Sequence, residues 1–173
     1  MIKLRSHQIF VRAGEFIIGA EDAPYEGKAE IELLGLTDSE TLTLSGIVKG
    51  GNKILASTNK VAFYGQPRDT MSRLLETVEE GAITIKVDST LDWAVGDKLF
   101  ISSSTIQPGY GEYRKITAID AGVITLDKAL KNYHYGTAES TGTLYNGVDI
   151  RTEVLMLTRN IKVYGEDADG WGG

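Results

Sequence analysis

The chain has 173 residues, 42% of them hydrophobic, and 18 Lys and Arg residues against 24 Asp and Glu residues leave a formal net charge of −6. This length and apolar content suffice for one or two small domains with a buried core, whereas the negative charge disfavours binding to nucleic acid. The absence of cysteine excludes disulfides, thiolate metal sites and a cysteine nucleophile.

Short apolar segments separated by glycines occupy residues 1–66. Segments of about three to six residues cannot each bury a face alone, so they must stack on one another. The 20 glycines against 3 prolines favour the many tight turns of such a stack. The pattern predicts an all-β fold, a β-roll or the start of a right-handed parallel β-helix, with rungs at 9–11, 16–18, 31–34, 42–44, 54–56 and 61–63.

Residues 67–81 break this pattern and are predicted to form a connector. Asp69 or Thr70 would cap a single helical turn here, and an irregular connector fits the sequence equally well.

Residues 82–147 are predicted to form a small β-barrel-like insertion that ends in a loop. The prediction rests on apolar residues that recur at every second position, a pattern typical of half-buried strands. Trp93 is expected in the core, and Gly96 is expected to adopt a backbone conformation that other residues resist. The alternating apolar positions are Ile83, Ile85 and Val87, followed by Val123, Ile124 and Leu126.

Residues 148–173 are predicted to return to strand and to lead into a truncated β-helix. Val154, Met156, Ile161 and Val163 are its expected inward positions. Because both ends of the chain look cut, we expect a fragment of a longer β-helical protein. No apolar run reaches the roughly 18–20 residues that span a bilayer, so no membrane contact is expected within this stretch.

The glycine-marked stretch at residues 11–35, VRAGEFIIGAEDAPYEGKAEIELLG, and four later segments resemble the G8-domain family, which includes fibrocystin, fibrocystin-like and cell-surface hyaluronan-depolymerising proteins. The stretch at residues 11–35 resembles the C-terminal half of the G8 module. TIKVDSTLDWAVGDKLFISSS, GEYRKI, HYG and DIRTEVLMLTRNIKVYG resemble the region that follows the module. In this family that region leads into a right-handed parallel β-helix.

The resemblance implies an extracellular or cell-surface protein that contacts a glycan or a protein ligand. The short connection after Gly65 resembles fibrocystin-like members, whereas the hyaluronan-processing members carry a large inserted domain there. We therefore expect a non-catalytic scaffold and ligand-contact module without cofactors. Two alternatives remain open: a segment of a polysaccharide-processing enzyme such as a hyaluronidase, and a self-assembling surface or fibre component.

Aromatic and polar residues in the predicted loops are the candidate ligand-binding residues. A tyrosine face offers apolar contact to a sugar ring, and a histidine adds hydrogen-bonding capacity. The alternative is that these side chains only cover the mouth of the barrel or hold its structure. The candidates are Tyr110, Tyr113, His134 and Tyr135.

Arg151, Glu153 and Arg159 would share one face of an unbroken strand and are predicted to form a structural ion-pair clamp. No catalytic constellation and no metal site are predicted, because two distant histidines have no zinc-site spacing. Asp92 and Asp97 flank Trp93 like paired carboxylates, but Asp97 is better explained as a turn residue that accepts backbone hydrogen bonds.

Overall fold

The computed structural model describes residues 1–46, 48–139, 144–145 and 148–167. The chain divides into two compact units: Met1–Pro67 with Arg159–Gly173, here the coil unit, and Arg68–Thr158, here the sheet unit. In the described residues the only helical element is a 3₁₀ turn, Pro108–Tyr110. The strands are β1 Ile2–Ser6, β2 Gln8–Val11, β3 Glu15–Ile18, β4 Ala29–Leu33, β5 Thr43–Ser45, β6 Val48–Lys49, β7 Ile54–Ser57, β8 Lys60–Phe63, β9 Met71–Arg73, β10 Thr84–Lys86, β11 Lys98–Ile101, β12 Glu112–Asp120, β13 Val123–Leu126, β14 Leu144–Tyr145, β15 Val148–Asp149, β16 Glu153–Met156 and β17 Ile161–Gly165.

The coil unit is built from successive turns of chain that stack in parallel. Strands β1, β4 and β17 form one parallel sheet, β2 pairs with β7 in a second, and β3 pairs with β8 in a third. Each turn therefore adds one strand to each sheet, which is the arrangement of a β-helix. The β5–β6 hairpin interrupts the second turn. The predicted all-β, β-helix-like class is confirmed.

Strand β4 forms the core of the coil unit because it is the central strand of its sheet. Ala29, Ile31 and Leu33 are buried on one face of β4, whereas the alternate residues are half-buried. In β17, Ile161 and Val163 pair with Ala29 and Ile31 of β4, so both lie on the buried face of the sheet as predicted, although Val163 is exposed. The described residues provide no strand beyond β17 to cover Val163, because β17 is an edge strand of the sheet.

The sheet unit is a six-stranded antiparallel sheet in the order β10-β13-β12-β11-β16-β9. Its two edges approach each other, since the N–H of Leu75, just after β9, donates to the carbonyl of Lys86 in β10 at 2.9 Å. The sheet thereby curls around one apolar cluster, as in a small barrel. The cluster contains Leu74, Val78, Ile85, Val87, Trp93, Leu99, Ile101, Ile116, Ile124, Leu126, Leu130, Val154 and Met156.

The sheet unit comprises residues 68–158 and therefore extends beyond both ends of the predicted 82–147 insertion. The prediction of a helical turn or an irregular connector at 67–81 is wrong for residues 71–73, because they form strand β9 and pair with β16. Local propensity and capping signals showed that the pattern of short strands breaks at 67–81. They did not show the long-range pairing with β16 that makes residues 71–73 a strand. Parts of the predicted segments, residues 140–143, 146–147 and 168–173, lie outside the described residues.

The local predictions for the sheet unit are largely confirmed. Trp93 is buried in the core, and Gly96 has a φ of +99°. Ile83 is an exception, because it is exposed just before the first residue of β10. The turn between β12 and β13 places both Ala121 and Gly122 at positive φ, as a tight two-residue hairpin requires.

Candidate ligand-contact site

Four apolar side chains form a row across the outer face of the sheet unit. Backbone pairing places Tyr113 of β12 beside Phe100 of β11, Phe100 beside Leu155 of β16, and Leu155 beside Met71 of β9. The neighbouring residue on β11, Leu99, is fully buried, so strand alternation turns Phe100 outward. Tyr113 is 72% exposed and Met71 is 43% exposed. These four residues are called the apolar row below.

The two aromatic rings of the apolar row are held against each other and against a glycine. The ring centroids of Phe100 and Tyr113 lie 4.9 Å apart with an interplanar angle of 50°. A Cβ on Gly111 would lie 2.5 Å from Cζ of Phe100, so the ring lies directly on the glycine backbone. Gly111 has an ordinary φ of −66°. The glycine therefore supplies space for the ring rather than an unusual backbone conformation.

Two lysines stand beside this aromatic pair. Lys98 and Lys115 are direct cross-strand partners on β11 and β12, two residues from Phe100 and Tyr113 respectively. Like charges in such a position are destabilising, and in the described part of the chain neither ammonium group has a carboxylate within ion-pair distance. The carboxylate of Asp127 accepts from the backbone N–H of Lys115 at 2.8 Å. The lysines thus give one end of the apolar row a local positive charge.

The other predicted tyrosines are divided between surface and framework. Tyr110 ends the 3₁₀ turn and is 45% exposed, in the loop that leads to Tyr113. Tyr135 is half-buried, and its backbone N–H donates to Oγ of Ser104 at 3.0 Å. Tyr110 and Tyr113 therefore remain available to a ligand, whereas the backbone of Tyr135 fixes its segment to the loop after β11. Their role in ligand binding stays a prediction.

His134 is fully buried, so its ring does not face a ligand in this conformation. Nδ1 lies 2.9 Å from the carbonyl oxygen of Ser102, and Nε2 lies 3.2 Å from Oε1 of Glu112. The His134 side chain therefore joins residues 102 and 112 inside the sheet unit, whereas the sequence led us to expect direct contact with a ligand.

Glu112 is a buried carboxylate surrounded by donors. Its oxygens accept from the backbone N–H groups of Lys131 and Asn132 at 2.9 Å and form an ion pair with Arg114. Burial alone would raise the pKa of Glu112, but the hydrogen bonds from Lys131 and His134 and the charge of Arg114 together lower that pKa below its ordinary value. Glu112 is therefore ionised at neutral pH, and it ties the 131–134 segment to the start of β12.

An ionic cluster of four side chains lies at the edge of the sheet where β9 pairs with β16. Nη2 of Arg151 lies 2.8 Å from Oδ2 of Asp149, and Nη2 of Arg73 lies 2.9 Å from Oε1 of Glu153. Nε of Arg73 also lies 3.4 Å from Oδ2 of Asp149, which joins the two pairs. The hydrogen bonds from Arg151 outweigh partial burial and lower the pKa of Asp149 to about 2.

The structure brings together two of the three predicted clamp residues, Arg151 and Glu153, through partners that the sequence did not single out. Arg159 does not share their strand face, because β16 ends at Met156 and Arg159 belongs to the coil unit. That part of the clamp prediction is wrong, since it assumed one unbroken strand.

No group of three or more His, Asp or Glu side chains in the described residues has a geometry suited to a metal ion. The carboxylates of Asp92 and Asp97 both bind the guanidinium of Arg68, at 2.9 and 2.8 Å, rather than facing a shared cleft. Asp97 also accepts from the backbone N–H of Ala94 at 2.9 Å, as predicted for a turn residue. Within the described ranges, no helix has the length and apolar character needed to cross a membrane.

Comparison with known proteins identifies the first part of the chain: residues 1–75 match the G8 domain. Similarity extends through the sheet unit, with 27% identity over 98% of this chain to human (Homo sapiens) fibrocystin-L and 30% over 95% to fibrocystin of Canis lupus familiaris. A G8 domain-containing protein of Dictyostelium discoideum is 28% identical over 99% of this chain. The resemblance seen in the sequence is confirmed.

The chain spans only a small part of these relatives. It covers 4% of each fibrocystin and 15% of the Dictyostelium protein. The activity and partners of the whole protein are therefore matters for proposal.

Among solved structures, phage tailspikes resemble this chain weakly. The gp54 tailspike of Acinetobacter baumannii bacteriophage AP22, solved with A. baumannii capsular saccharide, has a TM-score of 0.39 and 12% identity over 90% of this chain and 23% of its own. The gp61 tailspike of Pseudomonas phage phi297 has a TM-score of 0.42 and 12% identity over 92% and 24%. Similarity at this level carries no argument about function.

The sequence did not single out Phe100, Lys98 or Glu112, although each contributes to this region of the sheet unit. The alternation in KLFI would have placed Lys98 and Phe100 on the outward face of a strand. The pairing that places them beside Tyr113 and Lys115 has no local signal, because partner and register depend on long-range contacts.

Proposed function

We propose that this segment is a non-catalytic β module of an extracellular or cell-surface protein, which acts as a scaffold and contacts polysaccharide through the apolar row. The G8 domain and the similarity to fibrocystins support the scaffold role within a longer chain. The observation that carries the ligand role is the exposed Tyr113 ring packed on Phe100, in line with Leu155 and Met71.

The shape of the apolar row suits an extended ligand. Neighbouring strands lie about 4.8 Å apart, so a row across four strands is about 14 Å long. Aromatic faces make apolar contact with the C–H groups of a sugar ring, and the Tyr113 hydroxyl adds a hydrogen bond at the same place. Tyr113 and Met71 at the two ends of the row are exposed, and Phe100 and Leu155 between them are half-buried. Apolar side chains grouped in this way are more typical of contact sites than single scattered ones.

The charge beside the row favours an acidic polysaccharide over a neutral one. Lys98 and Lys115 face each other without an ion-pair partner in the described residues, and a sugar carboxylate would relieve the repulsion between them. Contacts of this kind weaken as salt screens the charges.

The proposal is tested by titrating the 173-residue chain with two size-matched probes, hyaluronan oligosaccharides and neutral dextran oligosaccharides. We expect tighter binding of hyaluronan, with an affinity that falls as salt rises. Tyr113→Ala should weaken binding on the order of tenfold, equal to about 1.4 kcal/mol. Tyr113→Phe keeps the ring and is the matched control that should retain most of the affinity.

A second pair of variants separates charge from stacking. Lys98→Gln and Lys115→Gln should reduce the affinity for hyaluronan and its salt dependence while leaving any dextran binding unchanged. Equal affinities of Tyr113→Ala and the unaltered chain for both probes would contradict the proposed contact face. A fall in hyaluronan chain length during incubation would contradict the non-catalytic assignment.

A further inference from the structure

The first two turns of the coil unit pass the same corner in different ways. In the first turn a single residue, His7, separates β1 from β2. In the second turn residues 34–53, which include the β5–β6 hairpin, separate β4 from β7. Because β1 pairs with β4 and β2 pairs with β7, this long connection begins and ends beside the short corner of the first turn.

A pocket of about 310 Å³ lies at this corner and is called the corner pocket below. Its volume is at the small end of the range of about 300–1,000 Å³ that is typical of ligand sites, so it has room for one ring-sized molecule. One apolar side chain and five polar or ionisable ones form its wall. The lining residues, all from the coil unit, are His7, Gln8, Leu34, Ser39, Glu40 and Asn52.

Asn52 brings an unpaired hydrogen-bond acceptor to the corner pocket. The residue is only 6% exposed. Its Nδ2 donates to the carbonyl of Leu36, whereas no donor in the described residues reaches its buried Oδ1. Most buried polar atoms in folded proteins have a partner, and an atom without one costs free energy. Oδ1 is therefore the polar atom of Asn52 that is left for an occupant of the pocket.

The chain on both sides holds this acceptor in place. Lys53, the residue after Asn52, has a φ of +51°, and its Nζ donates to the carbonyl of Glu166 at 2.9 Å. Across the pocket wall, the N–H of Leu36 donates to Oγ of Ser39 at 2.7 Å. Because these contacts order the wall before any ligand arrives, binding costs less conformational entropy.

Glu40 supplies a second acceptor on the exposed side of the corner pocket. Its backbone carbonyl accepts from Nε2 of Gln8 at 2.6 Å, which fixes the residue in place. In the described part of the chain its carboxylate has no cation within ion-pair distance, and no lysine or arginine lines the pocket. An anionic ligand would therefore meet a like charge without a compensating cation.

The pocket wall also contains donors, which narrows the class of ligand. The Ser39 hydroxyl and the His7 ring can each donate a hydrogen bond. A hydroxyl group both donates and accepts, so neighbouring hydroxyls on one ring satisfy this mixed set, whereas an ammonium group only donates. Leu34 offers apolar contact to the C–H groups of such a ring.

We propose that the corner pocket is a second binding site, which takes one neutral sugar residue. Oδ1 of Asn52 and the carboxylate of Glu40 accept hydrogen bonds from two of its hydroxyl groups. The site does not depend on the apolar row, because its residues belong to the coil unit. Its charge preference is also the opposite, since the lysines beside the apolar row favour an acidic ligand and Glu40 disfavours one.

The first experiment titrates the 173-residue chain with glucose and galactose, each beside its own uronic acid, glucuronate or galacturonate. Nitrogen-15 NMR spectra follow the Asn52 side-chain amide and the backbone amides of residues 34–40. We expect at least one neutral sugar to shift these signals, with a dissociation constant on the order of millimolar for so small a ligand. The matching uronic acid should bind about threefold more weakly or worse.

Two results of this titration would overturn the proposal. One is the absence of any shift with either neutral sugar, which is also the result expected if only water occupies the pocket. The other is equal binding of a sugar and its uronic acid.

Two variants test the two acceptors separately. Glu40→Gln removes the charge but keeps the backbone carbonyl that binds Gln8, so affinities for a sugar and its uronic acid should come within about twofold of each other. Glu79→Gln, at an exposed position of the sheet unit, is the matched control and should change neither affinity. Asn52→Ala should weaken sugar binding on the order of tenfold. Unchanged affinities in Glu40→Gln would overturn the site even if Asn52→Ala fails to fold.

Tyr113→Ala distinguishes the corner pocket from the apolar row. It should leave the sugar-induced shifts of Asn52 and residues 34–40 unchanged while weakening the binding of hyaluronan. Shifts confined to the surroundings of Tyr113 and Phe100 would support the apolar row and overturn the corner pocket. Shifts at Asn52 without hyaluronan binding by any form would support the corner pocket and contradict only the apolar row.

Discussion

Replacing Asp149 with Asn tests the ionic cluster at the β9 edge of the sheet. The carboxylate binds Arg151 at 2.8 Å and approaches Arg73 at 3.4 Å. Its pKa falls from the ordinary 3.8 to about 2, which corresponds to at most about 2.5 kcal/mol of stabilisation at neutral pH. Because the side chain is 22% exposed, solvent screening reduces the expected loss to about 1–2 kcal/mol.

The pH dependence has a definite sign. The pKa of Asp149 is lower in the folded state than in the unfolded state, so its stabilising contribution is complete above about pH 4 and is lost as pH falls toward 2. The destabilisation caused by Asp149→Asn should therefore be full at pH 7 and should shrink steadily between about pH 4 and pH 2.

Urea denaturation of the 173-residue chain at pH 7, 4 and 3 measures this difference as a free energy of unfolding. Asp120→Asn is the matched control, because Asp120 is exposed at the end of β12 and should change stability by less than about 0.5 kcal/mol. A loss for Asp149→Asn that is the same at pH 7 and pH 3 would refute the charge-based explanation and indicate a packing effect.

Four further substitutions test the core and the glycines. Trp93→Ala should lower the free energy of unfolding by about 3–5 kcal/mol in chemical denaturation, because the buried indole leaves a cavity; an unchanged midpoint would contradict its place in the core. Gly122 and Gly81 both have positive φ, but a Cβ at Gly122 would lie 2.5 Å from a backbone oxygen and one at Gly81 meets nothing within 4 Å. Gly122→Ala should therefore destabilise by about 1–3 kcal/mol more than Gly81→Ala in the same assay, and equal losses would show that strain alone matters. Gly111→Ala should displace the Phe100 ring at a cost below about 1.5 kcal/mol while weakening hyaluronan binding, and unaltered affinity would count against the apolar row.

The strand pattern of this protein was predictable because each short segment shows it locally. The rungs at 16–18 and 61–63 are strands β3 and β8, and the alternation at Val154 and Met156 places both residues in the core. Burial of every second residue is a property of a single strand, so one sequence is enough to show it.

The candidate site was only partly predictable, because it depends on strand pairing, which has no local signal in the sequence. Tyr113 was recognised as an exposed aromatic residue, but its partner Phe100 was not, because nothing near either residue specifies that β11 pairs with β12 in this register. His134 was recognised as an unusual polar residue, but its burial between Ser102 and Glu112 depends on segments about 20 to 30 residues away.

The sequence alone determined the all-β class, the stacking of short strands and the resemblance to the G8 domain, because periodicity, glycine spacing and shared motifs are local properties of the chain. Only the tertiary structure decided that residues 71–73 form a sheet edge, that β16 ends before Arg159, and that four apolar residues align on one face. Those outcomes depend on which strands meet and in what register, and that choice is made by packing over the whole unit rather than by any local segment.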